Sequence, residues 1–377
     1  MIAALHLPRT LFAPGAIASL AGELHALGIR HALLVTDQGL VRVGIATKAL
    51  AAMGGAANTV VFDTVNENPT FADVDAGAAL YRQNGCDGVV ALGGGSVIDT
   101  AKMIALLGRN PGSASSYLGV PNATYGPAAP LIVIPTTAGT GSEVSASSGV
   151  HPDAHTPSLG INSRYLVPTV AILDPELTLS LPPRLTAATG IDALSHCIEG
   201  YLSCNDVFLA NAIALDGIGR VARNIRRAVA DGSDAEARSE MMAAAYAGGV
   251  SIGMGLGPAH AIAITCSDQG FHHGVLSGIG LVATLDLVES RERERVRDVA
   301  RAFGLEPSAS LSLSRAIAEL MCELGLPSTL REMGYAANDV GTLGDAAHRS
   351  HFNRSARYHP SSSEYAAIIT ASLEQAP

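Results

Sequence analysis

Continuous apolar runs constrain this 377-residue chain more than any other feature: HALLVTD (His31–Asp37), TVVFDTV (Thr59–Val65), GVVALGGG (Gly88–Gly95), LIVIPTT (Leu131–Thr137) and the later VAILDPEL. None alternates polar with apolar residues, so none can lie with one face in water. Helix-spaced stretches separate them, with KALAAMGG after the first and SVIDTAKMIALLG straight after the third. Strands buried on both faces and alternating with helices make a parallel sheet covered on two sides.

From about Pro182 onward the strand signals stop. LTAATGIDALSHCIEGYL and VFLANAIALDGIGRVARNIRRAV carry helical periodicity, and RERERVRDVARAF reads as a solvated helix face. The expected division is an α/β half over residues 1–180 and an all-helical half over residues 181–377. Met241 to Cys266 contains no Asp, Glu, Lys or Arg, a length that reaches across a bilayer. Ala and Gly dominate it, however, Pro258 and His260 interrupt it, and no second apolar span accompanies it. It is expected to be a helix buried on all sides within a soluble domain.

Charge narrows the function classes. With 24 basic and 34 acidic residues the formal net charge is -10, which argues against a nucleic-acid partner and for a small-molecule enzyme or binding protein. The five cysteines form no CxxC pair, the usage of reduced thiols in the cytoplasm. MIAALHLPRTLFAPGA has no basic leading segment and is broken by prolines, so no secretory signal is read there.

Two loops and one histidine-rich region carry chemistry. GGGSVIDTAK begins where a strand ends and opens a helix, so backbone N–H groups can approach a phosphate at the helix start. It is not the GxGxxG fingerprint. PTTAGTGSEVS supplies a second loop of small hydroxyls after a strand, and the two together point to a phosphate-bearing cofactor. Asp37 ends a strand where a carboxylate can accept from a ribose diol and repel a 2′-phosphate, favouring NAD(H) over NADP(H). The other reading of Asp37 is a turn cap. Asp192 and His196 are four apart on one helical face. With His260 and His273 they make one carboxylate and three imidazoles, a set suited to Fe2+ or Zn2+.

GGGSVIDTAK, PTTAGTGSEV, DPELT, LPPRLTAATGIDALSHCIEGY and the later histidine pair together resemble the iron-containing (group III) metal-dependent alcohol dehydrogenases. The likeness runs from VNENPT through the histidine region. It implies an α/β N-terminal dinucleotide-binding domain with a parallel sheet and an all-α C-terminal metal-binding domain, a dehydroquinate-synthase-like architecture. It also implies a homodimer, with a small alcohol or aldehyde as substrate and no membrane partner. By motif position the metal ligands are Asp192, His196, His260 and His273. The cofactor contacts are Asp37, Gly94, Gly95, Ser96, Thr136, Thr137, Thr140 and Ser145. The implied activity is an NAD(P)-dependent oxidoreductase acting on CH–OH groups, with a divalent metal polarising the alcohol oxygen.

The chain departs from that family in three places. Ile264 stands where a second histidine usually follows the ligand, Ser158 where a lysine is usual, and HFNRSARYHPSSSEY replaces a C-terminal motif. His272, next to His273, or a water is the proposed replacement for proton transfer, the alternative being that His272 only hydrogen-bonds a backbone carbonyl. Arg349, Arg354 and Arg357 in the replaced segment offer guanidinium forks for an acid-bearing substrate. A maleylacetate-reductase-like enzyme working without metal is the alternative function, although the intact Asp192 argues against it. A non-catalytic nucleotide- or metal-binding protein is a further alternative.

Overall fold

The computed structural model describes residues 5–54, 59–120, 125–153, 156–306 and 312–374; part of the N-terminal stretch read for a leader, residues 1–4, lies outside them. The chain divides into two compact units, one formed by residues 5–137 with Ser142–Ser180, the other by Ala138–Gly141 with the residues from Leu181 onward.

The first unit contains strands β1 (Arg9–Phe12), β2 (Ala32–Val35), β3 (Thr59–Phe62), β4 (Gly88–Gly93), β5 (Leu131–Pro135), β6 (Ser147–Val150), β7 (Leu159–Asn162) and β8 (Val170–Leu173). Its helices are α1 (Leu20–Ala26), α2 (Gln38–Arg42), α3 (Ile45–Ala52), α4 (Phe71–Gln83) and α5 (Gly95–Arg109). Six strands form a sheet in the order β1-β8-β5-β4-β2-β3, all pairs parallel. Leu34, Val90, Leu92, Ile132, Ile134 and Ile172 point to one face and pack with Leu20 and Leu24 of α1 and Ala46 and Ala49 of α3. The alternate residues Leu33, Val89, Ala91 and Val133 are equally buried, since α5 packs against β4 and β5. Burial on both faces explains why these runs do not alternate; β3 is the exception, because at the sheet edge it leaves Val61 exposed.

Two elements escaped the sequence reading. Strand β1, RTLF, is a half-exposed edge strand of four residues, and its pairing to β8 comes from far along the chain. The β6–β7 antiparallel pair is built from SSGV and LGIN, which lack an apolar run.

The second unit contains α6 (Pro183–Tyr201), α7 (Phe208–Ala230), α8 (Ala235–Ile252), α9 (Pro258–Thr265), α10 (His273–Arg291), α11 (Arg293–Phe303), α12 (Leu313–Glu323), α13 (Leu330–Met333), α14 (Val340–Arg349) and α15 (Ser362–Glu374). The uncharged segment expected to be one buried helix is two. Helix α8 ends at Gly253, Gly255 has φ +94°, and Pro258 opens α9 in its first turn. Only glycine takes that φ without strain, and proline suits a first helical turn. The break turns the chain so that His260 lies near the start of a separate helix. Among the described residues no helix is long and apolar enough to cross a membrane.

Helices α9 and α10 meet at a glycine. A Cβ on Gly280 would stand 2.3 Å from the Ala259 carbonyl oxygen, which is backbone and cannot rotate away. Gly22 in α1 has nothing within 4 Å of the equivalent position. Gly280→Ala should therefore lower unfolding free energy by about 1–3 kcal/mol. Gly22→Ala should raise it by about 0.5–1 kcal/mol. Denaturant melts of both variants check the pair, and equal stability at Gly280 would contradict the packing.

Candidate metal centre and cofactor-binding loops

Helix α6 carries Asp192 and His196 one turn apart, 2% and 5% exposed. His260, 1% exposed, is the third residue of α9, and His273 is the first residue of α10. Three helices thus bring four side chains together: one ligand atom from each of Asp192, His196, His260 and His273 lies within 4.8 Å of the others. Asp192 Oδ1 is 3.9 Å from both His196 Nε2 and His273 Nε2. The His196 and His260 rings stack with centroids 4.8 Å apart, and His273 tilts against His260 at 5.4 Å. Ser277, one turn into α10, donates to Asp192 Oδ1 at 3.0 Å. Gly274 makes the approach feasible, because a Cβ there would meet the Ala188 carbonyl at 2.3 Å and Asp192 Cβ at 2.9 Å.

Electrostatics prepares the cluster for a cation. Burial pushes the His196 imidazole down to about 4, His260 and His273 add to the effect, and Asp192 opposes it. Burial works against the Asp192 carboxylate, yet the surrounding imidazoles hold it below the usual carboxylate range. Metal ligation requires an ionised carboxylate and imidazole lone pairs free of protons, and the directions at Asp192 and His196 both run that way. The site also contains unmet demand: His260 Nε2 is buried without a hydrogen-bond partner. Because His260 Nδ1 is bonded to Glu199 at 2.6 Å, its Nε2 is the atom left to take a ligand. A buried nitrogen lone pair without a partner is costly, and a divalent cation removes that cost. The residues present fit an Fe2+ or Zn2+ ion.

His272 does not join the four. It is the N-cap of α10, where its Nδ1 accepts from the Gly274 N–H at 3.1 Å. Ile264, on α9 one turn beyond His260, is half-buried. The turn His351–Arg354 brings Phe352 against His260, ring centroids 5.6 Å apart. Arg354 and Arg349 are exposed, whereas Arg357 is turned toward Asp206 at 3.4 Å. The sequence reading overlooked Glu199, Ser277 and Gly274. Glu199 had a signal: it follows Asp192 by seven residues, two helical turns, in an otherwise apolar helix.

The first unit supplies a separate concentration of loops. In the sheet order, β2 lies between β3 and β4, so the strand succession reverses at β2 and β4. Ligands of doubly wound sheets bind at the carboxyl ends of such strands. Asp37 follows β2 and caps α2, its Oδ1 accepting from the Leu40 N–H at 3.0 Å. Gly94 follows β4 as N-cap of the 15-residue α5 and supplies no side-chain cap, leaving the helix-start N–H groups of Gly95 and Ser96 to an anion. A Cβ at Gly94 would press on Thr137 at 3.3 Å. The Ser96 hydroxyl donates to the Glu67 carbonyl.

Thr136 is buried, and its N–H continues the sheet by bonding the Gly93 carbonyl at 3.1 Å. Ser145 is also buried, its hydroxyl accepting from Lys102 at 3.1 Å. Lys102 also donates to Ser142 Oγ, Ser145 O and Ser147 O, which ties the loop after β5 to α5. Burial pushes this ammonium down to about 8, with Asp99 and Glu143 opposing. Ser158, half-buried, immediately precedes β7, and Thr140 belongs to the short segment grouped with the helical unit.

Residues 8–175 match the family described as iron-containing alcohol dehydrogenase, and residues 186–373 match the C-terminal family of Fe-containing alcohol dehydrogenases. The chain is 38% identical to a 4-hydroxybutyrate dehydrogenase of Cupriavidus necator, covering 95% of this chain and 96% of the relative. It superposes on a solved 1,3-propanediol oxidoreductase with a TM-score of 0.93 at 31% identity, covering 99% of this chain and 100% of the other. A sulfoacetaldehyde reductase from Bifidobacterium kashiwanohense, solved in complex with NAD+, superposes with a TM-score of 0.89 at 27% identity, covering 100% of both chains.

His196→Ala should abolish tight binding of Fe2+ or Zn2+ by removing one of four donors, while circular dichroism and the thermal transition persist. Metal content of the purified variant measures this directly. Full occupancy would make Asp192 and His196 a structural pair.

Proposed function

Because the chain belongs to the iron-containing alcohol dehydrogenase family, we propose that it is a metal-dependent, NAD(H)-linked alcohol dehydrogenase and aldehyde reductase whose substrates are small and acid-bearing. The observation that carries the reading is the convergence of Asp192, His196, His260 and His273, with His260 Nε2 buried and lacking a partner. The same observation weighs against a metal-independent reductase.

The residues divide the work. Asp192, His196, His260 and His273 would hold the ion, the carboxylate offsetting part of its charge. That ion supplies Lewis acidity toward the alcohol or carbonyl oxygen, and the nicotinamide exchanges hydride with the adjacent carbon. The start of α5 with Gly94, Gly95 and Ser96 offers N–H groups to a pyrophosphate. Asp37 favours the ribose diol of NAD(H) over a 2′-phosphate. Thr136, Thr137, Thr140 and Ser145 form or brace the second cofactor loop. His272, with Nδ1 committed to Gly274, carries its proton on Nε2 and would relay the alcohol proton in place of the residue lost at Ile264. Arg354, in the same turn as Phe352, and Arg349 are the guanidinium groups left for a substrate anion.

The acid-bearing preference draws support from the 4-hydroxybutyrate dehydrogenase and sulfoacetaldehyde reductase relatives. The reading extends to a cytoplasmic homodimer without nucleic-acid or membrane partners; the formal charge of -10 weighs against a nucleic-acid partner and the five free cysteines favour a reducing compartment.

Steady-state assays of the metal-loaded enzyme test the reading. Succinic semialdehyde should be reduced with roughly tenfold or greater kcat/KM than butyraldehyde, the worth of one charged hydrogen bond. NADH should outperform NADPH, and chelation should stop turnover. Equal efficiency with the neutral aldehyde removes the anion preference, and full activity after verified metal removal removes the metal-dependent mechanism.

His272→Gln should lower kcat by about a hundredfold and remove one limb of the pH–rate profile. An unchanged profile would leave His272 as a helix cap alone.

A further inference from the structure

We propose that Glu199 is the positioning residue of the metal centre: it fixes the tautomer and orientation of His260 and, in the same contact, anchors the helix that carries it. The inference rests on the metal-dependent reading and adds to it a residue that ligates nothing. Glu199 is 4% exposed, on α6, and its two oxygens receive three N–H groups. Oε1 accepts from the Ala259 N–H at 2.7 Å; Oε2 accepts from the His260 N–H at 3.1 Å and from His260 Nδ1 at 2.6 Å.

Each bond does a different job. The two backbone bonds satisfy amides in the first turn of α9, whose N-cap Gly257 offers no side chain. A carboxylate there also complements the positive end of the helix. The third bond requires a proton on Nδ1, so Nε2 presents its lone pair, and Nε2 is the nitrogen left without a partner. Gly257 is part of the device, because a Cβ there would come 2.9 Å from Glu199 Oε1. Asp192, His196 and Glu199 are spaced four and three apart on α6, so one helix face supplies two ligands and sets the direction of a third.

Glutamine keeps the shape of Glu199 but replaces one acceptor oxygen with a donor amide, so it cannot accept all three N–H groups. Glu199→Gln should weaken Zn2+ or Co2+ affinity, measured by chelator competition, by about 10–100-fold. A role confined to capping α9 would lower the melting temperature and leave metal affinity as it was. Unchanged affinity in the folded variant therefore overturns the proposal. Nitrogen NMR of the metal-free wild-type protein needs no variant: His260 should carry its ring proton on Nδ1, and a proton on Nε2 overturns the proposal. If wild-type protein binds neither ion, the metal-dependent reading falls, while the ring-proton measurement still decides what Glu199 does.

Discussion

The helical unit depends on burying two carboxylates in an apolar helix. Asp192 and Glu199 are nearly inaccessible, in a stretch of α6 where His196 is the only other large polar side chain between them. A buried carboxylate is tolerated only with donors or cations around it. Glu199 finds three N–H groups at the start of α9. Asp192 has the Ser277 hydroxyl and the edges of two imidazoles, and its remaining demand is the one a divalent cation meets. Those bonds tie the starts of α9 and α10 to α6. The contacts also require Gly274 and Gly280, where a methyl group would strike backbone carbonyls.

The sheet unit meets a different constraint by a related device. A long helix starting without a side-chain cap leaves amides unsatisfied, and α5 does so at the point where the strand succession reverses. The loop after β5 is held by a buried ammonium. The three N–H groups of Lys102 are shared among four oxygens of that loop and the start of β6, with Asp99 3.8 Å away to offset its charge. A loop fixed this way loses little conformational entropy if a ligand docks on it. The family match spans both units.

Much of this was legible in the sequence because the relevant periods are local. Uninterrupted apolar runs state that a strand is covered on both faces, and β2, β4, β5 and β8 are buried throughout, while β3 at the edge leaves Val61 exposed. The four-residue spacing of Asp192 and His196 survives intact, since a helix converts it directly into a shared face. Family likeness then identified His260 and His273 as partners of that pair, and the structure brings the four together.

What only the tertiary structure decided is whatever depends on partners distant in the chain. Strand β1 has no apolar signature and exists because β8, 161 residues later by the Arg9–Val170 register, is there to pair with it. The uncharged stretch from Met241 to Cys266 looked like one helix because composition does not register a turn. The left-handed φ at Gly255 and the proline start of α9 divide it, and that division aims His260 at its partners. His272 and His273 are adjacent in sequence, yet one caps a helix and the other faces Asp192, because successive side chains at a helix start point in different directions. Glu199 was visible as an isolated charge in an apolar helix. Its work on His260, 61 residues away, required the fold to bring those N–H groups to it.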